Sequence, residues 1–169
     1  MSNNKINGPL NRYRSKVKDG SLNADPAQEA LAGKLHNLFR VLQDYQPLSN
    51  TLSWKERFGL ASKRANPPKG IYIFGDVGRG KSMLMDLFFE TVPFERKRRV
   101  HFHSFLQDIH ARFNAFRARN PEGGDPIPDV AKLIAEETWL LCFDELQVVN
   151  IVDAMILGRL FEALFEHNV

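Results

Sequence analysis

The octapeptide Gly75-Asp76-Val77-Gly78-Arg79-Gly80-Lys81-Ser82 constrains this 169-residue chain more than any other feature. It satisfies G-x-x-x-x-G-K-[ST] at every fixed position. Such a loop turns its backbone N–H groups inward around an anion, which requires conformations and close approach that glycine accepts cheaply. The helix that follows points its N-terminal dipole and unpaired N–H groups at the same anion. Lys81 then reaches the β- and γ-phosphates, and the Ser82 hydroxyl ligates Mg²⁺. The nucleotide-binding set is Gly75, Asp76, Val77, Gly78, Arg79, Gly80, Lys81, Ser82 and Met83. Arg79 sits at a variable position of the motif, so its side chain is expected in solvent.

The flanks of the loop read as alternating strands and helices. Ile71-Tyr72-Ile73-Phe74 is a β-branched and aromatic run ending at Gly75, and an amphipathic helix covers Lys81 to Thr91. Val100-His101-Phe102-His103 is the next strand; Ser104 with Gln107 is a capping box for a helix carrying Leu106, Ile109, Phe113 and Phe116. A loop from Pro121 to Pro128 leads to a helix over Asp129–Glu137. Trp139-Leu140-Leu141-Cys142-Phe143 has the apolar character of a parallel strand buried on both faces, and a last helix spans Ile151–His167. This alternation predicts an α/β fold with a parallel sheet and flanking helices. A helical segment precedes it. Asp25 caps a helix with Pro26 in the first position and Gln28 reaching back to the cap; Leu31, Leu35, Leu38, Phe39 and Leu42 share a face down to about Tyr45. Trp54 and Phe58 lie in a second short helix, broken at Asn66-Pro67-Pro68.

The acidic pair Asp144-Glu145 closes the apolar strand, 63 residues after Lys81. In parallel sheets ligands lie beyond the carboxyl ends of the strands, so this pair reads as a Walker B segment. Asp144 would hold Mg²⁺ with Ser82, and Glu145 would orient and deprotonate the attacking water, making Glu145 and Lys81 the catalytic residues. A built-in carboxylate favours ATP hydrolysis over phosphotransfer, and no Asn-Lys-x-Asp guanine-reading segment occurs. His101 and His103 alternate on one strand face with His110 beyond; they read as satisfied or surface histidines rather than metal ligands. Gln147 reads as a loop residue.

Composition narrows the class. At 43% hydrophobic and 25% charged residues the chain can bury an ordinary core, and no apolar run approaches the roughly 20 residues of a membrane span. A single cysteine excludes a disulfide framework and a Cys-based zinc site, and no secretory signal follows Met1, which together point to a soluble intracellular protein. The net charge of +3 is uneven: residues 1–20 carry Lys5, Arg12, Arg14, Lys16 and Lys18 against Asp19. That stretch reads as a solvated arm and Arg96-Lys97-Arg98-Arg99 as a solvated turn, since neither interleaves aromatics; nucleic acid is disfavoured as a partner.

With these residues assembled, the sequence resembles the ZapE family, AAA+ (ASCE-class) P-loop ATPases of bacterial cell division with mitochondrial Afg-type relatives. The likeness rests on 70–89, on His101-Phe102-His103-Ser104-Phe105, on Asp125-Pro126-Ile127-Pro128 and on Leu141-Cys142-Phe143-Asp144-Glu145-Leu146-Gln147-Val148. Asp153 to Leu160, Gly8-Pro9-Leu10, Arg12-Tyr13 and Asp25-Pro26-Ala27-Gln28 add to it. Leu146, Val149 and Asn150 depart from the family's usual Phe, Thr and Asp beside the site. The resemblance implies a helical lead-in over 1–66 and the N-terminal part of an AAA+ domain over 67–169. Family members are much longer. The phosphate-loop strand of an AAA+ sheet lies between strands four and five, which in the family follow the position of Val169, so the sheet is expected to be incomplete here. The sensor and arginine-finger residues fall beyond the same point, and a weakly folded chain with little turnover of its own is expected. The resemblance also implies ATP and Mg²⁺, self-association into a ring, a partner in the division ring near the inner membrane, and bacterial cytoplasm. The alternatives are a mitochondrial matrix-side quality-control ATPase, a helicase-loader-like switch and a nucleotide-gated scaffold.

Overall fold

Proline at the first helical position opens both N-terminal helices, where its missing N–H costs no hydrogen bond. The computed structural model describes residues 8–45 and 68–169; the expected helix around Trp54 and Phe58, the break at Asn66-Pro67 and Lys5 of the basic arm lie outside them. The described chain forms two compact units, 8–45 with 68–95 and 96–169.

The first unit packs three helices: α1 (Pro9–Lys18), α2 (Pro26–Leu42) and α3 (Lys81–Thr91). Its core is Tyr13, Ala32, Leu35, Phe39, Leu42, Leu84, Leu87 and Phe88. Asp25 caps α2 as expected, accepting from Ala27 N at 2.8 Å and Gln28 N at 3.3 Å. Tyr13 is buried with its hydroxyl satisfied twice: it donates to Asp25 O and accepts from Asp25 N, each at 3.1 Å. Gly8 permits the close entry of α1, because a Cβ there would lie 2.3 Å from the His36 ring. The solvated-arm reading is corrected over Pro9–Lys18. That segment is a packed helix whose Arg12 and Arg14 pair with Glu90 at 2.7 Å and Glu29 at 2.8 Å.

Ile71–Phe74 is not a strand; among the described residues it pairs with none, and Tyr72 and Phe74 are 69% and 83% exposed. A β-rich sequence becomes a strand only where a neighbour supplies ladder partners. The strands among the described residues, Lys97–His101 and Leu140–Asp144, pair with each other and not with this segment.

The second unit runs β1 (Lys97–His101), α4 (Phe102–Arg119), α5 (Ile127–Glu137), β2 (Leu140–Asp144) and α6 (Ile151–Glu166). The two strands pair in parallel, Lys97 opposite Leu140 and His101 opposite Asp144. The strand expected at Val100–His103 therefore lies earlier, and Phe102 and His103 open α4. The Ser104 capping box is not formed: His101 is the N-cap, and Gln107 meets the His103 ring at 3.1 Å. Starting the helix at Phe102 buries Phe102 and Phe105 in the core, which outweighs a cap worth about 1 kcal/mol. Three of the four residues of the basic block, Lys97, Arg98 and Arg99, are likewise strand rather than solvated turn, and Arg96 directly precedes β1. Arg98 bonds Asp108 at 2.8 Å, Arg99 bonds Asp144 at 2.8 Å, and the Arg96 guanidinium lies 5.3 Å from the Trp139 ring centroid. Of β2 only Cys142 is fully buried, so burial on both faces is not reached. That burial pushes the Cys142 thiol up to about 12, against the weaker pull of Arg99.

The core joins Phe102, Phe105, Ile109 and Phe113 of α4 to Val130 and Ile134 of α5 and Leu157, Leu160 and Leu164 of α6. Phe105 is fully buried, 4.8 Å from the Phe143 ring centroid. Phe105→Ala is expected to destabilise this unit by about 3–5 kcal/mol in urea unfolding, a large part of an ordinary domain's stability.

Asp108 links α4 to β1. Burial raises its pKa, but hydrogen bonds from Arg98 and Arg112 and their charges prevail and hold it below 3.8. Its contribution to stability is full above that value and lost as pH falls through the lower folded one. The unfolding midpoint of Asp108→Asn is therefore expected to fall less steeply on acidification than that of the parent chain, and urea titrations from pH 5 downward (about one unit above the free carboxyl value) measure it. Asp19, lowered chiefly by its Ser21 hydrogen bond, leaves a residual slope in both.

Candidate functional site

Three glycines of the 75–82 loop adopt left-handed backbone: Gly75 at φ +143°, Gly78 at +78° and Gly80 at +79°. Any other residue would be strained there, which is why the motif fixes glycine at the positions of Gly75 and Gly80. Lys81 folds back across the loop, its ammonium donating to Gly75 O and Asp76 O at 2.7 Å each. An ammonium has three donors, so one remains for an anion. Gly80 is the N-cap of α3, and the first helical bond runs from Leu84 N to Gly80 O at 3.0 Å. The N–H groups of Lys81, Ser82 and Met83 therefore have no intrahelical acceptor. Asp76, Val77, Gly78, Arg79 and Ser82 are exposed, and Lys81 and Met83 are half-buried. A free ammonium donor, free N–H groups and left-handed glycines are the donor set a phosphate chain requires.

Arg79 is exposed as expected, with its guanidinium 3.6 Å from Asp25 Oδ2. Gln28 does not reach back to its own cap. Its Nε2 donates to Arg79 O at 3.3 Å, and a Cβ on Gly80 would lie 2.9 Å from that nitrogen.

In the second unit, Asp144 ends β2 at the carboxyl edge of the parallel pair and Glu145 follows it directly. Asp144 is 13% exposed, and one of its oxygens accepts from Arg99 Nε at 2.8 Å. A carboxylate has further lone pairs, and carboxylate and hydroxyl oxygens, such as those of Asp144 and of Ser82, are each hard donors of the kind Mg²⁺ takes. Glu145 holds φ +54°, a left-handed conformation rare outside glycine, and its side chain is exposed. Strain of this kind gathers where a site fixes a side chain. Ser82 and Lys81 belong to the first compact unit and Asp144 and Glu145 to the second.

The histidines do not converge: His103 meets Gln107, His110 meets Asp153 at 3.1 Å, and His101 is exposed. No three His, Cys, Asp or Glu groups cluster among the described residues. Gln147 is exposed in the loop after β2. Sequence reasoning missed Arg99 beside Asp144 and Gln28 beside the loop. The first follows only from strand register, and the second had a local alternative in its own helix cap.

The family model described as AFG1-like ATPase matches residues 7–169. Lactation elevated protein 1 homolog B of Danio rerio is 40% identical, covering 95% of this chain and 40% of that protein. Cell division protein ZapE of Escherichia coli (strain K12) is 36% identical, covering 95% of this chain and 44% of that protein. An uncharacterized protein of Schizosaccharomyces pombe is 38% identical over 96% of this chain and 41% of its own length. The chain thus spans less than half the length of the curated relatives it matches. No solved structure matches it significantly.

Proposed function

The chain belongs to the AFG1-like ATPase family, and from that premise we propose that it binds ATP with Mg²⁺ and serves ATP hydrolysis. The observation that carries the reading is the Lys81 closure of a loop built on three left-handed glycines. Backbone N–H groups of the loop and of the first turn of α3 hold the phosphates, and Lys81 counters the charge of the β- and γ-groups. Ser82 and Asp144 would hold Mg²⁺, which neutralises charge on the phosphate oxygens when bound. Glu145 orients the attacking water and takes its proton. A carboxylate fixed by left-handed backbone at a strand end suits that task.

By its likeness to ZapE, the proposal extends to a role in bacterial cell division. There the protein would self-associate into a ring in the cytoplasm and act on the division ring beside the inner membrane. The 40% identity to a vertebrate protein favours a second reading, a mitochondrial quality-control ATPase on the matrix side. The helicase-loader reading loses its main support, because Arg98 and Arg99 are engaged by Asp108 and Asp144.

The test is the metal dependence of nucleotide binding. ATP affinity is expected to rise with Mg²⁺ and to collapse with excess chelator, and Ser82→Ala is expected to shift the Mg²⁺ requirement upward about tenfold, the size of a lost charge-assisted contact. Binding indifferent to Mg²⁺ and to Ser82 would contradict the assigned ligands.

A further inference from the structure

We propose that the N-terminal turn of α2 is a latch on the phosphate loop, with Gln28 as the positioning residue that holds the loop in its nucleotide-receptive shape. The inference rests on the nucleotide-binding reading and adds to it a control exerted from the N-terminal helices.

Contacts from one helical turn converge on two consecutive loop residues. Gln28 Nε2 donates to the Arg79 carbonyl at 3.3 Å, 51 residues away in sequence. Gly80 presses against the same amide, since a Cβ there would stand 2.9 Å from Nε2 and 3.3 Å from Cδ. Asp25, the N-cap of that turn, brings Oδ2 to 3.6 Å from the Arg79 guanidinium. The peptide joining Arg79 to Gly80 thus meets α2 just where the backbone turns left-handed at φ +79° and delivers Lys81 to the loop carbonyls.

The turn is itself anchored. Asp25 caps its own helix, and its N–H and carbonyl are both tied to the hydroxyl of the buried Tyr13 on α1. A continuous line of contacts runs from α1 through Tyr13, Asp25 and Gln28 to the loop. The amide is not there for filling alone. Gln28 Oε1 is buried with no hydrogen-bond partner among the described residues, a cost that an aliphatic side chain of equal length avoids. What an amide offers and an aliphatic does not is the Nε2 donor. Because linkage is reciprocal, displacement of α1 and α2 by a partner would weaken nucleotide binding, and bound nucleotide would hold the helices in place.

The test reads the loop with and without nucleotide. Trypsin cleavage after Arg79 in nucleotide-free protein reports release of the loop, with Lys18 at the end of α1 as the reference bond in the same unit. Gln28→Met keeps the length and loses the donor. It is expected to speed cleavage after Arg79 about fivefold, the factor one ordinary hydrogen bond is worth, and to leave cleavage after Lys18 unchanged. It is also expected to weaken binding of the fluorescent analogue mant-ATP by a similar factor, and Gln28→Glu, which sets an acceptor against the Arg79 carbonyl, by more. Equal rates and affinities in parent and both variants, with Lys81→Ala unable to bind mant-ATP, overturn the latch and leave the nucleotide reading standing. Faster cleavage at both bonds also overturns it, as general loosening. Failure of the parent chain to bind mant-ATP overturns the nucleotide reading itself.

Discussion

Lys81→Ala is expected to abolish ATP binding at concentrations that saturate the parent chain. Two effects add. The ammonium supplies both short bonds that draw Gly75 O and Asp76 O together, so its removal opens the loop before any ligand arrives. It is also the formal positive charge that the motif brings to the β- and γ-phosphates, and charge-assisted bonds to phosphate are about twice as strong as neutral ones. Together these place the loss at roughly a hundredfold or more in affinity, of the order of two charge-assisted hydrogen bonds. Calorimetric titration of ATP into parent and variant measures it. The fold should survive, because Lys81 is half-buried at the start of α3 while the core of that helix is Leu84, Leu87 and Phe88.

Glu145 separates binding from chemistry and activity from stability. Glu145→Gln keeps shape and backbone but cannot accept the water's proton, so bound ATP should persist while its conversion to ADP slows about a hundredfold or more, within the usual span of general-base catalysis. Glu145→Gly loses the same carboxylate but relieves the backbone. A left-handed conformation costs an L-residue about 1–2 kcal/mol that glycine does not bear, partly offset by glycine's freer unfolded chain. With φ at +54°, Glu145→Gly is expected to leave unfolding stability equal or modestly raised while hydrolysis is lost. Quenched analysis of bound nucleotide gives the first result and urea unfolding the second. A glycine variant that loses stability would show that the Glu145 side chain, rather than its backbone, supports the fold.

Features set by a few consecutive residues were legible in the sequence. The motif's fixed glycines, Gly75 and Gly80, were expected in conformations that glycine accepts cheaply, and both have positive φ, as does Gly78 at a variable position. Asp25-Pro26 read as a helix start because cap and ring act within one turn, and the helices at Lys81–Thr91 and from Ile151 follow their periodicity closely. Features that depend on distant partners were not legible. Ile71–Phe74 carries strand residues, yet a strand is a property of a pair. Ser104 and Gln107 spell a local cap that the burial of Phe102 and Phe105 overrides, moving the N-cap three residues earlier, to His101. Arg96–Arg99 looked like a turn because charge in a run reads as solvent; Asp108, Asp144 and Trp139, which hold three of its members, come from α4, from β2 and from the residue that precedes β2. Gln28 chose a carbonyl 51 residues away over its own cap, a choice no local pattern encodes. At the site, Gly75 to Met83 and the Asp144-Glu145 pair were named from sequence, and the Arg99 hydrogen bond to Asp144 awaited the register of the strands.

The central claim is that the loop from Gly75 to Ser82 and the first turn of α3 receive a nucleotide. Amide hydrogen exchange with and without Mg²⁺ and a non-hydrolysable ATP analogue tests it most directly, since the N–H groups said to hold the phosphates are the ones observed. The account predicts slowed exchange concentrated at Gly78 to Met83, absent in Lys81→Ala. Nucleotide-dependent protection elsewhere with exchange at Gly78 to Met83 unchanged would contradict it.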